Sequence, residues 1–340
     1  MVKGAVVNGF QQSNFMPIPP PAARKLVITG ASGFLGRVVA GAAKASGWEV
    51  FATSRAHPPN SGSHDAWWRI PGGTGIQTLM EWLRSVQPEA IFHAAGSANV
   101  SASFEEPWHD LQASLGSWSQ WLEAARLSGA KPLMIFPSSA AVHGAPEKLP
   151  VSEDSPLRPI SPYGMHKLMC EMVAREYHEM LGLPVAVVRL FSIFGGSQKR
   201  LLVWEVYRKL AEDPEGVRIM GTGKERRDYL YEDAVAQAVL LLAADRDRWA
   251  RKSKMPLFNI GSGVEHRIVE VVELLRDRVK PGQHIVCDGK SRPGDPERWC
   301  ADIRRFQAAY PGWRPIGLAE GLQPTLESWM DVGNPMAAKH

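Results

Sequence analysis

The 340-residue chain carries 44% hydrophobic and 22% charged residues and a formal net charge of +4. That balance is ordinary for a globular protein; it calls for no nucleic acid, though it leaves room for a basic phosphate pocket. No stretch approaches the roughly 20 uninterrupted apolar residues that span a bilayer, and the widely separated Cys170, Cys287 and Cys300 offer neither a disulfide framework nor metal-ligand spacing. Neither nucleic acid nor membrane is therefore expected as a partner, no metal is expected, and a reducing cytoplasm is the expected compartment.

In chain order, residues 1–23 lack periodicity and end in a proline-rich stretch, so they read as a disordered leader. From Lys25, short apolar runs at 25–29, 48–54, 90–94, 133–137 and 185–191 alternate with helical spacing at 36–46, 78–86, 108–127 and 163–180. Strand and helix alternating in this way predict a parallel sheet covered on both faces. Beyond residue 195 the pattern loosens into shorter pieces at 217–221, 257–260 and 284–287. The expected fold is α/β: a Rossmann-type doubly wound parallel sheet with a smaller C-terminal substrate-binding lobe over its strand ends. The expected division gives residues 24–195 to the dinucleotide-binding domain, with 228–260 returning to it. Residues 196–227 and 261–332 form the substrate lobe, and 333–340 a tail.

The first strand runs directly into Gly30, Ala31, Ser32, Gly33, Phe34, Leu35 and Gly36, and a helical run comes next. Glycines there permit a tight turn and let backbone N–H groups approach a pyrophosphate, which the helix N-terminus also attracts. An acid at the end of the second strand would accept from the ribose 2′-hydroxyl of NAD. Here that end reads Thr53, Ser54, Arg55, with no acid. A guanidinium and a hydroxyl suit a 2′-phosphate, so NADP(H) is favoured as cofactor and NAD(H) retained as the alternative.

The most specific segment is Ser161-Pro162-Tyr163-Gly164-Met165-His166-Lys167. Tyr163 and Lys167 are four apart and share one helical face. A phenol, with a reference pKa near 10, needs a neighbouring cation to exchange protons at neutral pH. Upstream, the run 133–137 ends in Ser138 and Ser139, and a hydroxyl there can bond the oxygen that Tyr163 protonates. Ser139 is the stronger candidate of the two.

With TGASGFLG, PSSAAVHG, SPYGMHK, GTGKERRDYLYEDAVAQAV, NIGSG and RPGDPERWCAD in hand, the chain resembles the extended short-chain dehydrogenase/reductase family, in its sugar-nucleotide epimerase/dehydratase/reductase branch. The resemblance implies catalytic Ser139, Tyr163 and Lys167, with Lys167 also on the nicotinamide ribose. It implies cofactor contacts from Gly30, Ser32, Gly33, Phe34, Leu35, Ser54, Arg55, Ala94, Ala95, Gly96, Tyr163 and Lys167. Substrate contacts fall to Ser139, Ser192, Arg227 and Arg292, the two arginines gripping a diphosphate, with Arg226 an alternative. A nucleotide sugar is thus the expected substrate, and a homodimer the expected assembly.

The chain also departs from the family pattern. Ala140 and Ala141 follow Ser139 where dehydratases carry an acidic pair, which argues against dehydration. His143 replaces a usual tyrosine and is either a second acid–base or a buried neighbour. Ala113 and Ser192 replace usual asparagines. Two apolar stripes, Trp108/Leu111/Leu115/Trp118/Leu122 and Met165/Met169/Met172, read as a dimer interface or as internal core. The leading expectation is NADP(H)-dependent reduction of a 4-keto nucleotide sugar with Tyr163 as proton donor, and the alternative is a 4-epimerase. A reductase of a non-sugar ketone and a non-catalytic NADP-binding regulator rank lower.

Overall fold

Seven parallel strands make the central sheet of the computed structural model, which describes residues 24–56, 62–71, 73–212, 216–290, 294 and 296–331. The leader, the tail and Arg292 lie outside the described residues. The first half of the chain runs β1 (Lys25–Thr29), α1 (Phe34–Ala45), β2 (Glu49–Ser54), β3 (Ala66–Arg69), α2 (Ile76–Val86), β4 (Ala90–His93), α3 (Val100–Glu105) and α4 (Pro107–Leu111). After a π-helical turn (Gln112–Gly116) come α5 (Ser117–Ser128), β5 (Leu133–Ser139), a 3₁₀ turn (Ala140–His143), α6 (Pro162–Glu179) and β6 (Val185–Leu190). The rest comprises β7 (Ser192–Phe194), α7 (Leu201–Glu212), β8 (Val217–Ile219), β9 (Arg226–Tyr231), α8 (Glu232–Ala244), α9 (Arg246–Ala250) and β10 (Leu257–Ile260). It ends with β11 (Glu265–Arg267), α10 (Ile268–Val279), β12 (Ile285–Cys287), α11 (Arg304–Ala309) and α12 (Leu318–Asp331).

The sheet order is β10-β6-β5-β4-β1-β2-β3. Alternate residues of a strand face opposite sides, and both sides are covered here. Leu26 and Ile28 join the core beneath α1 and α8, with Val39, Ala43, Val235 and Val239. Val27 joins the core beneath α2, α5 and α6, with Leu83, Trp118 and Ala174. The chain leaves β1 in one direction through β2 and β3, then returns to β4 on the other side of β1. That reversal opens a crevice at the carboxyl ends of β1 and β4, the place where such sheets bind ligands.

A smaller lobe has a core of its own. It contains the sheet β11-β9-β7, the pair β12-β8, and α7, α10 and α12 around Val203, Leu210, Val272 and Trp329. Asp228, fully buried on β9, fastens it to the main sheet. Its Oδ1 accepts from the Ser262 amide and hydroxyl at 2.6 Å each, and its Oδ2 from the amides of Gly263 (2.9 Å) and Ala301 (3.0 Å). A Cβ on Gly261 would meet Asp228 Oδ2 at 2.8 Å, so the NIGSG loop needs glycine there.

Two elements differ from expectation. Strand β3 was not foreseen, because Ala66-Trp67-Trp68-Arg69 is too short to show an alternation. The helical run expected over 108–127 is interrupted by the π-helical turn, which shifts the phase of the helix beyond it. Trp118 and Leu122 consequently point into the subunit's own core while Trp108 stays 67% exposed; the first stripe is not one face. No helix among the described residues is long and apolar enough to cross a membrane.

Candidate active site

Thr29 ends β1 and Gly30 begins the turn at φ +62°, a conformation that favours glycine. A Cβ on Gly30 would come within 2.6 Å of the Ala95 nitrogen and 2.7 Å of the Ala94 carbonyl, so the turn and the Ala94–Ala95–Gly96 segment after β4 abut directly. Gly36 is equally constrained, since its Cβ would lie 2.4 Å from Gly30 O. Gly33 caps α1 without any side-chain hydrogen bond, and Phe34 and Leu35 open the helix. The first-turn amides of α1 are thus not taken by a side-chain cap, beside a turn whose Gly30 and Gly36 leave no room for a Cβ. Those features fit the pyrophosphate of a dinucleotide. Thr29 Oγ1 accepts from Ala95 N at 3.2 Å and is hydrogen-bonded to His93 Nδ1 at 3.0 Å. Burial, with the Lys167 charge nearby, pushes His93 down to about 3, so it stays neutral beneath the crevice.

Ser54 closes β2. Its hydroxyl lies 2.6 Å from that of Ser32 and accepts from Ala56 N at 3.1 Å. Arg55 follows, exposed. Arg37, on the first turn of α1, donates to Ser32 O (2.9 Å) and to Ser197 O (3.1 Å), joining the glycine turn to the segment after β7. At the neighbouring strand end, Arg69 lines one cavity with Arg55. Sequence reasoning missed Arg69 because it missed β3; the one available signal was the basic residue closing an aromatic pair.

The expected serine, tyrosine and lysine converge on the end of β5. Ser161 caps α6 by accepting from Gly164 N at 3.1 Å, and Pro162 supplies a pre-set φ at the first helical position. A Cβ on Gly164 would stand 2.6 Å from Ala141 O. Glycine after Tyr163 therefore lets α6 press against the 3₁₀ turn that begins beyond Ser139. Ser139 Oγ caps that turn, accepting from Ala141 N at 3.2 Å. Lys167 is buried and donates to Pro137 O at 3.0 Å, with its Nζ 4.8 Å from the Phe136 ring centre and 5.7 Å from that of Tyr163. The Tyr163 amide donates to Ser103 Oγ at 3.1 Å, tying the residue to α3.

One turn beyond Lys167, buried Glu171 forms an ion pair with buried Arg189 of β6 at 2.7 Å and accepts from Ser138 Oγ at 2.5 Å. Arg189 also donates to His143 Nε2 at 3.2 Å, and His143 Nδ1 lies 3.2 Å from Pro156 O. Because a guanidinium can only donate, Nε2 accepts and Nδ1 carries the proton. Burial and the Arg189 charge push His143 down to about 4. Both ring nitrogens are engaged inside the fold, which matches a buried polar neighbour rather than a second acid–base.

On the lobe side, Ser192 of β7 pairs in register with Tyr229 of β9, two residues after Arg227. Arg227 is buried, donates to Arg226 O (2.7 Å) and Glu297 O (3.3 Å), and stacks 5.3 Å from the Trp299 ring centre. Trp299 in turn donates to Gly144 O at 3.0 Å, linking the lobe to the 3₁₀ turn. Arg226 is partly exposed and faces Glu265 at 3.5 Å.

Residues 26–261 match the model of the NAD dependent epimerase/dehydratase family. The chain belongs to that family. Among family relatives, the UDP-glucose 4-epimerase of Mycolicibacterium smegmatis is 27% identical, over 89% of this chain and 97% of its own. The GDP-6-deoxy-D-mannose reductase of Pseudomonas aeruginosa is also 27% identical, over 90% of this chain and 97% of its own. Among solved structures, MoeE5 in complex with UDP-glucuronic acid and NAD is 26% identical with a TM-score of 0.78, covering 91% of this chain and all of MoeE5.

Proposed function

We propose that the protein is an NADP(H)-dependent reductase of a 4-keto nucleotide sugar. The observation that carries this reading is the end of β2, where Ser54 and Arg55 stand in place of an acid and Ser54 bonds Ser32 at 2.6 Å. A carboxylate there would repel a 2′-phosphate, whereas a guanidinium and hydroxyls attract one.

In this reading Gly30, Ser32, Gly33, Phe34 and Leu35 hold the pyrophosphate end, and Ala94, Ala95 and Gly96 flank it across the crevice. Bound reduced cofactor supplies the hydride. Tyr163 donates its phenolic proton to the ketone oxygen, and the Ser139 hydroxyl hydrogen-bonds the same oxygen and orients it. The Lys167 ammonium, held by Pro137 O, stabilises the negative charge left on the phenol oxygen. Ser192, Arg227 and Arg292 bind the nucleotide-sugar side, the arginines at the diphosphate. Ala140 and Ala141 bring no carboxyl to eliminate water from the sugar. Met165, Met169 and Met172, all exposed on the outer face of α6, support a homodimer.

A 4-epimerase is the second reading, favoured by relatives that carry that name. The two separate on cofactor balance. Purified protein incubated with NADPH and a panel of 4-keto nucleotide sugars is expected to consume one NADPH per sugar reduced. Interconversion of saturated nucleotide sugars, with no net change in cofactor, would instead establish the epimerase.

A further inference from the structure

We infer that Arg69 is a second residue that sets cofactor choice, forming with Arg55 a clamp of two guanidinium groups for the adenosine 2′-phosphate. The inference rests on the NADP(H) reading above and extends it from the end of β2 to the end of β3. Strands β2 and β3 pair in parallel with Ser54 opposite Arg69, and Ile70 N donates to Ser54 O at 2.9 Å. Arg69 Nε donates to Arg55 O at 3.3 Å, which holds its guanidinium at the end of β2. Arg55, Arg69, Ile70 and Pro71 together line a cavity of about 420 Å³, within the size range of small-molecule sites.

Among the described residues neither guanidinium is paired with a carboxylate. Asp65, at the entry to β3, is already held by Lys44 Nζ at 2.6 Å and Val50 N at 2.7 Å. Two cations on adjoining strand ends repel one another, and an anion bound between them removes that repulsion. A phosphate offers several oxygens to two planar forks, while the neutral 2′-hydroxyl of NAD gives the pair nothing to neutralise. The Ser32–Ser54 contact adds a donor. Whichever hydroxyl donates across the 2.6 Å gap, the other keeps its proton for the phosphate. Ile70 and Pro71 supply the apolar wall that a flat adenine requires.

The test is equilibrium binding of NADPH, NADH and adenosine 2′,5′-bisphosphate to the full chain, followed by tryptophan fluorescence, in wild type, Arg69→Gln, Arg69→Lys and Arg55→Gln. Arg69→Gln is expected to weaken NADPH and the bisphosphate about tenfold, the worth of one charge-assisted hydrogen bond, and to leave NADH within about twofold. Arg69→Lys should recover part of the loss, since it keeps the charge without the fork. Equal weakening of NADPH and NADH, or no weakening of either, overturns the clamp. A wild-type protein that binds NADH as tightly as NADPH overturns the cofactor reading together with it. Wild-type preference for NADPH that is undiminished in Arg69→Gln overturns the clamp alone.

Discussion

Removing the Tyr163 hydroxyl is the sharpest change available at the scale of one residue. Tyr163 sits at the start of α6 with its amide on Ser103 and Lys167 one turn behind, and phenylalanine keeps every one of those packing relations. Tyr163→Phe is therefore expected to lower kcat/KM by about 10²- to 10⁴-fold, the usual worth of a positioned proton donor, while NADPH binding stays within about twofold. Steady-state rates on the keto sugar, read beside a cofactor titration, check this; undiminished turnover would mean that Tyr163 is not the proton donor. At this scale the sequence was informative where chemistry and local spacing coincide. Tyr163 and Lys167 share a helix turn, and Gly30 and Gly33 share a tight loop. It was uninformative where partners are distant. His143 has its environment settled by Arg189, 46 positions away, and no local pattern connects them. Arg69 needed the register of β2 against β3 before it had a neighbour.

Among the elements, α8 carries a titration with a readable sign. Glu232 opens that helix against the turn after β7, so tightly that a Cβ on Gly195 would lie 2.1 Å from its carboxyl carbon, and it accepts from Ser197 N at 3.4 Å. Burial, helped by the Asp233 charge, pushes it up to about 8 from an ordinary 4.5. The folded chain thus retains a proton that the unfolded chain has lost. This contribution to stability is complete below about pH 4.5 and disappears as pH rises through about 8. Its ceiling is on the order of 5 kcal/mol. Glu232→Gln, neutral at every pH, should therefore gain on wild type in urea midpoint between pH 5 and pH 8.5; a difference that does not vary with pH would show the carboxyl ionised throughout. Comparing the variants cancels His143, whose lowered value acts in the opposite direction on wild type and mutant alike. The element pattern itself was legible for β1, β5 and β6, whose apolar stretches 26–28, 133–136 and 185–188 are buried. The π-helical turn was not, because Gln112–Gly116 keeps the composition of a helix while rotating its phase. That rotation separates Trp108 from Trp118.

For the whole molecule, the question is what covers the outer face of α6. Its inner face holds Lys167, Cys170 and Ala174 in the core, while Met165, Met169 and Met172 look outward, the last 62% exposed, and Trp108 of α4 is 67% exposed. Contiguous apolar exposure of this kind marks an interaction surface, and a surface carried on paired helices suits a two-fold arrangement in which the same patch meets itself. A second copy docked there would brace the helix that bears Tyr163 and Lys167 from behind, so assembly and turnover are coupled through α6. The double variant Met169→Glu/Met172→Glu keeps good helix formers on α6 and places four like charges across the two-fold contact. It is expected to sediment as a monomer where wild type sediments as a dimer, to melt several degrees lower because the dimer no longer stabilises the fold by mass action, and to lose activity with its cofactor affinity largely kept. Sedimentation at several micromolar protein decides it. A wild type that is already monomeric, or a variant that remains dimeric, would mean that the methionine face does not join two copies and that α6 is positioned from within one subunit, by contacts such as those of Glu171 with Arg189 and Ser138, of Lys167 with Pro137 and of the Tyr163 amide with Ser103.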